Sequence, residues 1–274
     1  MICPILLYGS EVWGCENIAI VSQFQLKFYK HILNLKKSTP TSMVMGELGA
    51  NPIENKIFAR MLNFWGRLVS DKPTKICTVL YRTMYNLHEK GILHCQWIAK
   101  IKSILNNIGC SHYWYMQNVP NFNLFKQKIK SVLFDQYLQT WNSSINESAK
   151  CLNYRIYKTD LKLENYLLCL PKNLSIELCR FRCLNSNLPI EKGRYFGIER
   201  ENRLCSLCDR QELGDEYHYI FNCTFFINER HKYIQRNIFH HPNILKYQNL
   251  MCSTEKNVLI KLALFVKTIM LKVS

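Results

Sequence analysis

The stretch Asn51-Pro-Ile-Glu-Asn-Lys-Ile-Phe-Ala-Arg-Met-Leu-Asn-Phe-Trp-Gly-Arg-Leu68 decides the fold class. Ile53, Ile57, Met61, Phe64 and Leu68 recur at the spacing of one helical face, and Asn51 with Pro52 forms an N-cap and first-turn pair. The same period appears on both sides of it. Gln96 to Asn107 carries Ile98, Ile101, Ile104 and Leu105, with Gly109 as a stop signal. Phe122 to Trp141 places Phe125, Ile129, Val132, Leu133, Tyr137 and Trp141 on roughly one face. Weaker patterns cover Ile18 to Leu35, Leu161 to Leu170, Leu174 to Leu184 and Val258 to Leu271. Alternation is short wherever it occurs, so strands are expected only near Ile5 to Tyr8 and around the Cys205 to Cys208 turn. The chain is therefore expected to be mainly α: a helical body, a small zinc-binding knuckle and a C-terminal helix. The helical pattern is interrupted between Leu188 and Arg200, which marks the expected boundary of the body.

With 274 residues, 48% of them hydrophobic, the chain can bury a core. Its 36 Lys and Arg against 20 Asp and Glu give a formal charge of +16, which suits a polyanionic partner. Thirteen cysteines form an odd set in a long chain, and the apolar run at Ile5 to Tyr8 has no basic region before it. A reducing, intracellular setting is expected. Leu259 to Val273 is the most apolar helical stretch, and Lys261, Lys267 and Lys272 interrupt it, so no membrane partner is expected.

Chemistry concentrates at Cys205-Ser-Leu-Cys208, with His218 after nine intervening residues and Cys223 after four more: C-x2-C-x9-H-x4-C. Zinc prefers four soft or borderline ligands in a tetrahedron, and a C-x2-C turn aims two thiolates at one point. His218 and Cys223 follow on a helix-like segment, Asp215 to Phe221, whose acidic start suits a helix N-terminus, and Gly214 supplies the turn into it. Four protein ligands leave no position for water, so one structural Zn2+ is expected at Cys205, Cys208, His218 and Cys223. Cys179, Cys183 and Cys252 read as core residues, and His231, His240 and His241 have ordinary spacing.

The segment ending His218-Tyr-Ile-Phe-Asn-Cys223 resembles the zinc-binding region near the C-terminal end of non-LTR (LINE-type) retrotransposon reverse transcriptases. Pro4-Ile-Leu-Leu-Tyr-Gly-Ser-Glu-Val-Trp-Gly14 is similar to the segment that follows the fingers and palm in those proteins. Leu188-Pro-Ile-Glu-Lys-Gly-Arg194, leading to Arg203-Leu-Cys205, resembles the approach to the knuckle. The resemblance implies a remnant of the segment after the polymerase core at 1–36, a basic helical region at 37–198, the zinc-binding region at 199–240 and a helical tail at 241–274. It also implies a nuclear setting. The family's polymerase needs adjacent palm aspartates to hold two metal ions, whereas Asp71, Asp135, Asp160, Asp209 and Asp215 are scattered. No catalytic residues and no small-molecule substrate are therefore expected, and no G-x-S-x-G, phosphate-loop or H-E-x-x-H motif offers another enzyme.

The positive charge is uneven. Residues 61–150 carry 11 basic and 4 acidic side chains, while 199–240 carry 6 and 7, so the knuckle itself is a poor polyanion site. The expected RNA or DNA contacts are Lys100 and Lys102 near Trp97, and Lys126, Lys128 and Lys130 near Phe122 and Phe125. Arg180, Arg182, Lys192 and Arg194, before the knuckle, complete the set. The competing expectation is a zinc-stabilised structural or protein-interaction remnant in which these cations only solvate helix faces.

Overall fold

A computed structural model describes residues 2–71 and 74–273. It is mainly helical, and no β-strand occurs among the described residues. The helices of eight or more residues are α1 (Ile18–Ile32), α2 (Ile53–Ser70), α3 (Ile76–Glu89), α4 (Gln96–Asn107), α5 (Phe122–Glu147), α6 (Lys172–Arg182), α7 (Ile244–Met251) and α8 (Lys256–Lys272). No helix is long and apolar enough to cross a membrane among the described residues. The chain divides into two compact units, Met1–Gln25 with Asn51–Thr140, and Leu26–Ala50 with Trp141–Ser274. Leu188 to Arg200 falls inside the second unit.

The first unit is built around α2. Ile53, Ile57, Met61, Leu62, Trp65 and Leu68 are buried, as the 3.6-residue period requires. Trp65 stacks on Trp114 at 6.0 Å and donates its indole N–H to the Tyr81 hydroxyl at 2.8 Å. Tyr81 in turn donates to Gln117 Oε1 at 2.6 Å, so the polar edge of this aromatic core is satisfied. Gly66 lets α5 approach α2 closely: a Cβ there would stand 3.0 Å from both Phe122 and Phe125.

The start of α2 differs from expectation. Asn51 does not cap it; Gln25, a buried residue of α1, accepts the Ile53 N–H at 2.9 Å and donates to the Asn51 carbonyl at 3.1 Å. A tertiary contact thus replaces the local cap. Residues near Ile5 are helical (Ile2–Leu6), not a strand, since a short apolar run has no period that separates the two. Within Leu161 to Leu170 only Tyr166–Cys169 is helical; Leu163 makes an isolated antiparallel bridge with Leu48, which holds that segment extended.

The second unit buries an ion-pair network. Arg182 of α6 is 1% exposed and pairs with Glu47 at 3.0 Å and Glu164 at 2.9 Å, while its Nη1 donates to the Met251 carbonyl at 2.7 Å. Its guanidinium lies over the Tyr157 and Tyr166 rings, and the Tyr166 hydroxyl donates to Glu47. Burial opposes the charge on Arg182, but Glu47 and Glu164 outweigh it and hold its pKa well above the ordinary arginine value. Lys158 closes the network on Glu164. Around it α6 packs along α8, with Leu178, Phe181, Leu259, Leu262, Phe265 and Val266 buried. Arg182 is therefore a core residue and no surface contact for nucleic acid. Cys179 and Cys183 are buried as expected, whereas Cys252 is exposed and turns its thiol to the Tyr157 carbonyl.

Because removing one member of a buried pair strands the other charge, Arg182→Ala should destabilise the chain by about 3–5 kcal/mol. Urea unfolding of both proteins checks this, and a loss below about 1 kcal/mol would contradict the network's role.

Candidate metal centre

The metal-ligand set lies between a small hairpin and a wide helical turn, both in the second unit. Leu204 and Leu213 form one antiparallel bridge; the Cys205 N–H donates to the Glu212 carbonyl at 2.9 Å, and the Gly214 N–H to the Arg203 carbonyl at 2.9 Å. Cys205-Ser-Leu-Cys208 lies in the loop that this hairpin closes. The Leu207 N–H points at Cys205 Sγ from 3.4 Å, a donor suited to a charged sulfur. At the base Gly214 admits close approach, since a Cβ there would stand 2.8 Å from Pro189.

The helix-like segment after Gly214 is more specific than expected. Asp215 Oδ1 accepts the His218 N–H at 3.0 Å, as an N-cap does, and His218–Asn222 is a π-helical turn. The Cys223 N–H donates to the His218 carbonyl at 2.8 Å, the i→i+5 bond of that turn. Five residues of α-helix end about 140° past a full turn, which would point His218 and Cys223 apart; the wider winding brings them to one side. Backbone carbonyls at this irregular turn need donors, and the buried Arg230 guanidinium supplies them, reaching Ile220 O at 2.6 Å and Cys223 O at 2.9 Å.

Cys205, Cys208, His218 and Cys223 offer one ligand atom each, all within 4.8 Å of one another. Cys205 Sγ lies 3.8 Å from Cys223 Sγ, and Cys208 Sγ 3.4 Å from His218 Nε2. Cys205, His218 and Cys223 are buried and Cys208 is half-buried. These four residues can hold a metal ion. His218 turns Nε2 toward the sulfurs because Nδ1 is held by Glu212 Oε2 at 2.9 Å, and the same oxygen accepts from Asn222 Nδ2 at 3.0 Å. Carboxylate support of a ligating imidazole fixes the ring and its tautomer.

Two of the sulfurs differ in how readily they ionise. Burial pushes the Cys223 thiol up to about 12, and the neighbouring Cys205 adds to the rise. Burial also opposes ionisation of Cys208, but hydrogen bonds from the Arg210 backbone and the other two cysteines outweigh it and bring this thiol below its ordinary value. Around His218, Glu212 is held below the usual carboxylate range: burial works against its charge, and the hydrogen bonds from His218 and Asn222 prevail.

Residues expected to meet nucleic acid are distributed unevenly. Lys126, Lys128 and Lys130 are exposed on α5, with the Lys126 ammonium 4.4 Å from the Phe122 ring centroid. Lys100 lies over Phe58, and Lys102 pairs with Glu89 at 3.3 Å and lies over Trp114. In the second unit Lys192 and Arg194 are exposed, Arg180 is half-buried beside Glu177, and Arg182 is in the core. Tyr195 and Phe196 are exposed, 58% and 71%.

Glu212 and Arg230 belong to the centre and escape a motif read from ligands alone. Their signals are weak: a carboxylate between C-x2-C and His218, and a cation seven residues after Cys223. His231, His240 and His241 are not part of the ligand set. No protein-family model, curated protein or solved structure matches the chain.

Cys208→Ser should lower the metal content of the purified chain, and unchanged content would remove Cys208 from the ligand set. Glu212→Ala should weaken metal affinity about 10–100-fold in a competition with a chromophoric chelator. Equal affinity would show that the His218 ring is fixed by other contacts.

Proposed function

We propose that the chain holds one structural zinc ion at Cys205, Cys208, His218 and Cys223 and binds RNA or DNA through its basic helical surface. In this reading it is the non-catalytic C-terminal part of a retrotransposon reverse transcriptase. The observation that carries the metal assignment is the 3.8 Å separation of Cys205 Sγ and Cys223 Sγ. A tetrahedron with metal–sulfur bonds of about 2.3 Å has sulfur–sulfur edges of about 3.8 Å, so these sulfurs already stand at zinc-site spacing. Three thiolates and an imidazole are a set that zinc prefers, and with four protein ligands it serves the fold. Metal binding of this kind is coupled to folding, worth on the order of 10–16 kcal/mol in small peptides.

Nucleic-acid binding is supported by the net charge of +16 and by the exposure of Lys126, Lys128 and Lys130 along one helix. The resemblance of the Cys205 to Cys223 segment and of Pro4 to Gly14 supports the family. A nuclear setting follows from it.

One observation favours a second reading, a zinc-stabilised protein-interaction module. Ile76, Val79, Leu80 and Met84 recur at helical spacing on α3 and are 74%, 48%, 57% and 38% exposed.

Zinc analysis of reduced protein, followed on the same sample by oligonucleotide binding at about 50 and 200 mM salt, separates the two. One zinc per chain with affinity that falls steeply over this range is the expected result. One zinc with weak, salt-insensitive binding would favour the interaction module, and no zinc would overturn the metal assignment. Incubation with primed RNA and nucleotides should give no extension; templated synthesis would contradict the non-catalytic assignment.

A further inference from the structure

One cavity of the first unit has a chemistry that the expected contact residues only touch. It measures about 260 Å³ and is lined by Glu11, Arg60, Asn63, Arg67 and Lys126. Arg60, Asn63 and Arg67 stand at i, i+3 and i+7 on α2, so they share one face of that helix. Lys126 comes from the first turns of α5, brought alongside by the close α2–α5 packing that Gly66 permits. Three cations therefore face one carboxylate.

That carboxylate is already engaged. Arg60 donates to Glu11 Oε2 through Nε at 3.1 Å and Nη2 at 2.8 Å. Glu11 sits below its ordinary pKa: burial works against its charge, and backbone hydrogen bonding, Arg60 and the more distant Arg67 outweigh it. Among the described residues the Arg67 side chain makes one long hydrogen bond, 3.4 Å from Nε to the Asn63 carbonyl, and the Lys126 ammonium rests on the Phe122 face. The side chains of Arg60, Arg67 and Lys126 are exposed, and each keeps donors for another anion.

We propose that Arg60, Arg67 and Lys126 form a phosphodiester-binding groove for single-stranded nucleic acid, in which the Glu11 carboxylate is a built-in competitor for the Arg60 guanidinium. This rests on the nucleic-acid reading above and names its contact site. The side chains offer donors in a cleft, which suits phosphate oxygens. Arg60 and Arg67 lie seven residues apart, about 10.5 Å along the helix axis, so the groove suits a run of phosphates better than one isolated anion. The half-buried Phe122 ring lies under the Lys126 ammonium, and displacing that ammonium would offer a base a face on which to stack. Glu11 neutralises one of the three cations, so the free chain presents two uncompensated charges, and removing that carboxylate releases the third.

The test is fluorescence anisotropy of the full chain with oligo(U) and oligo(dT) of about 20 nucleotides, titrated from about 50 to 200 mM salt. Arg67→Gln and Lys126→Gln should each lower affinity and reduce the slope of log affinity against log salt by about 0.7. Glu11→Gln should raise affinity at low salt and steepen the slope by a similar amount, a gain that misfolding does not produce. The two oligonucleotides share the phosphodiester, so both should show these changes; changes confined to oligo(U) or to oligo(dT) would overturn the groove as a backbone site. If the wild type binds with salt sensitivity and all three variants keep its slope, the groove is wrong while nucleic-acid binding stands. If the wild type shows no salt-sensitive binding to either probe, the nucleic-acid reading fails and the groove with it.

Discussion

Three sulfurs and an imidazole nitrogen converge within 4.8 Å at one corner of the second unit, and the local structure depends on what holds them together. The hairpin that presents Cys205 and Cys208 has a single bridge between Leu204 and Leu213, too little to fix it alone. On the other side the π-helical turn is anchored in the core. Tyr219, Ile220 and Phe226 are fully buried, Phe226 meets Phe265 of α8 edge to face, and Tyr217 and Phe221 pack on Tyr247 of α7. A metal ion held by the four residues would cross-link this hairpin to the anchored turn. Without a cation, burial opposes ionisation of Cys223, and the neighbouring Cys205 adds to that opposition.

Two arginines of the second unit are not surface cations. Arg182 and Arg230 are buried and serve the fold, one closing an ion-pair network and the other supplying donors to the carbonyls of an irregular turn. Removing them from the tally of surface cations sharpens the picture. The exposed excess includes the lysines of α5 in the first unit, together with Arg60 and Arg67 of α2, which the spacing of hydrophobic residues alone does not single out. A formal charge is a property of composition, and its functional meaning depends on which side chains reach water.

Legibility in the sequence followed the strength of the local signal. α2, α4 and α5 were readable because their apolar residues repeat over three turns or more, and the end of α4 at Asn107 before Gly109 matched the expected limits. α3 was not readable: Thr78 and Tyr81 are buried while Ile76, Val79 and Leu80 face outward, so its hydrophobic pattern does not mark its core face. The cap of α2 is not legible because Gln25 is distant in the chain, and the burial of Arg182 is not legible because Glu47 and Glu164, which pair with it, are also distant. At the candidate metal centre, the four residues that converge are legible from spacing alone. The π-helical turn was implicit in the five-residue step from His218 to Cys223, which an α-helix serves poorly. Glu212 and Arg230 were not legible, since a single carboxylate or arginine carries no spacing rule until the backbone is folded.

X-ray absorption at the zinc edge on the reduced, zinc-loaded chain reads the coordination of the ion itself. If these four residues bind zinc together, the first shell is three sulfurs at about 2.3 Å and one nitrogen at about 2.0–2.1 Å. A shell of nitrogen and oxygen only, or no zinc retained after exchange into metal-free buffer, would contradict it.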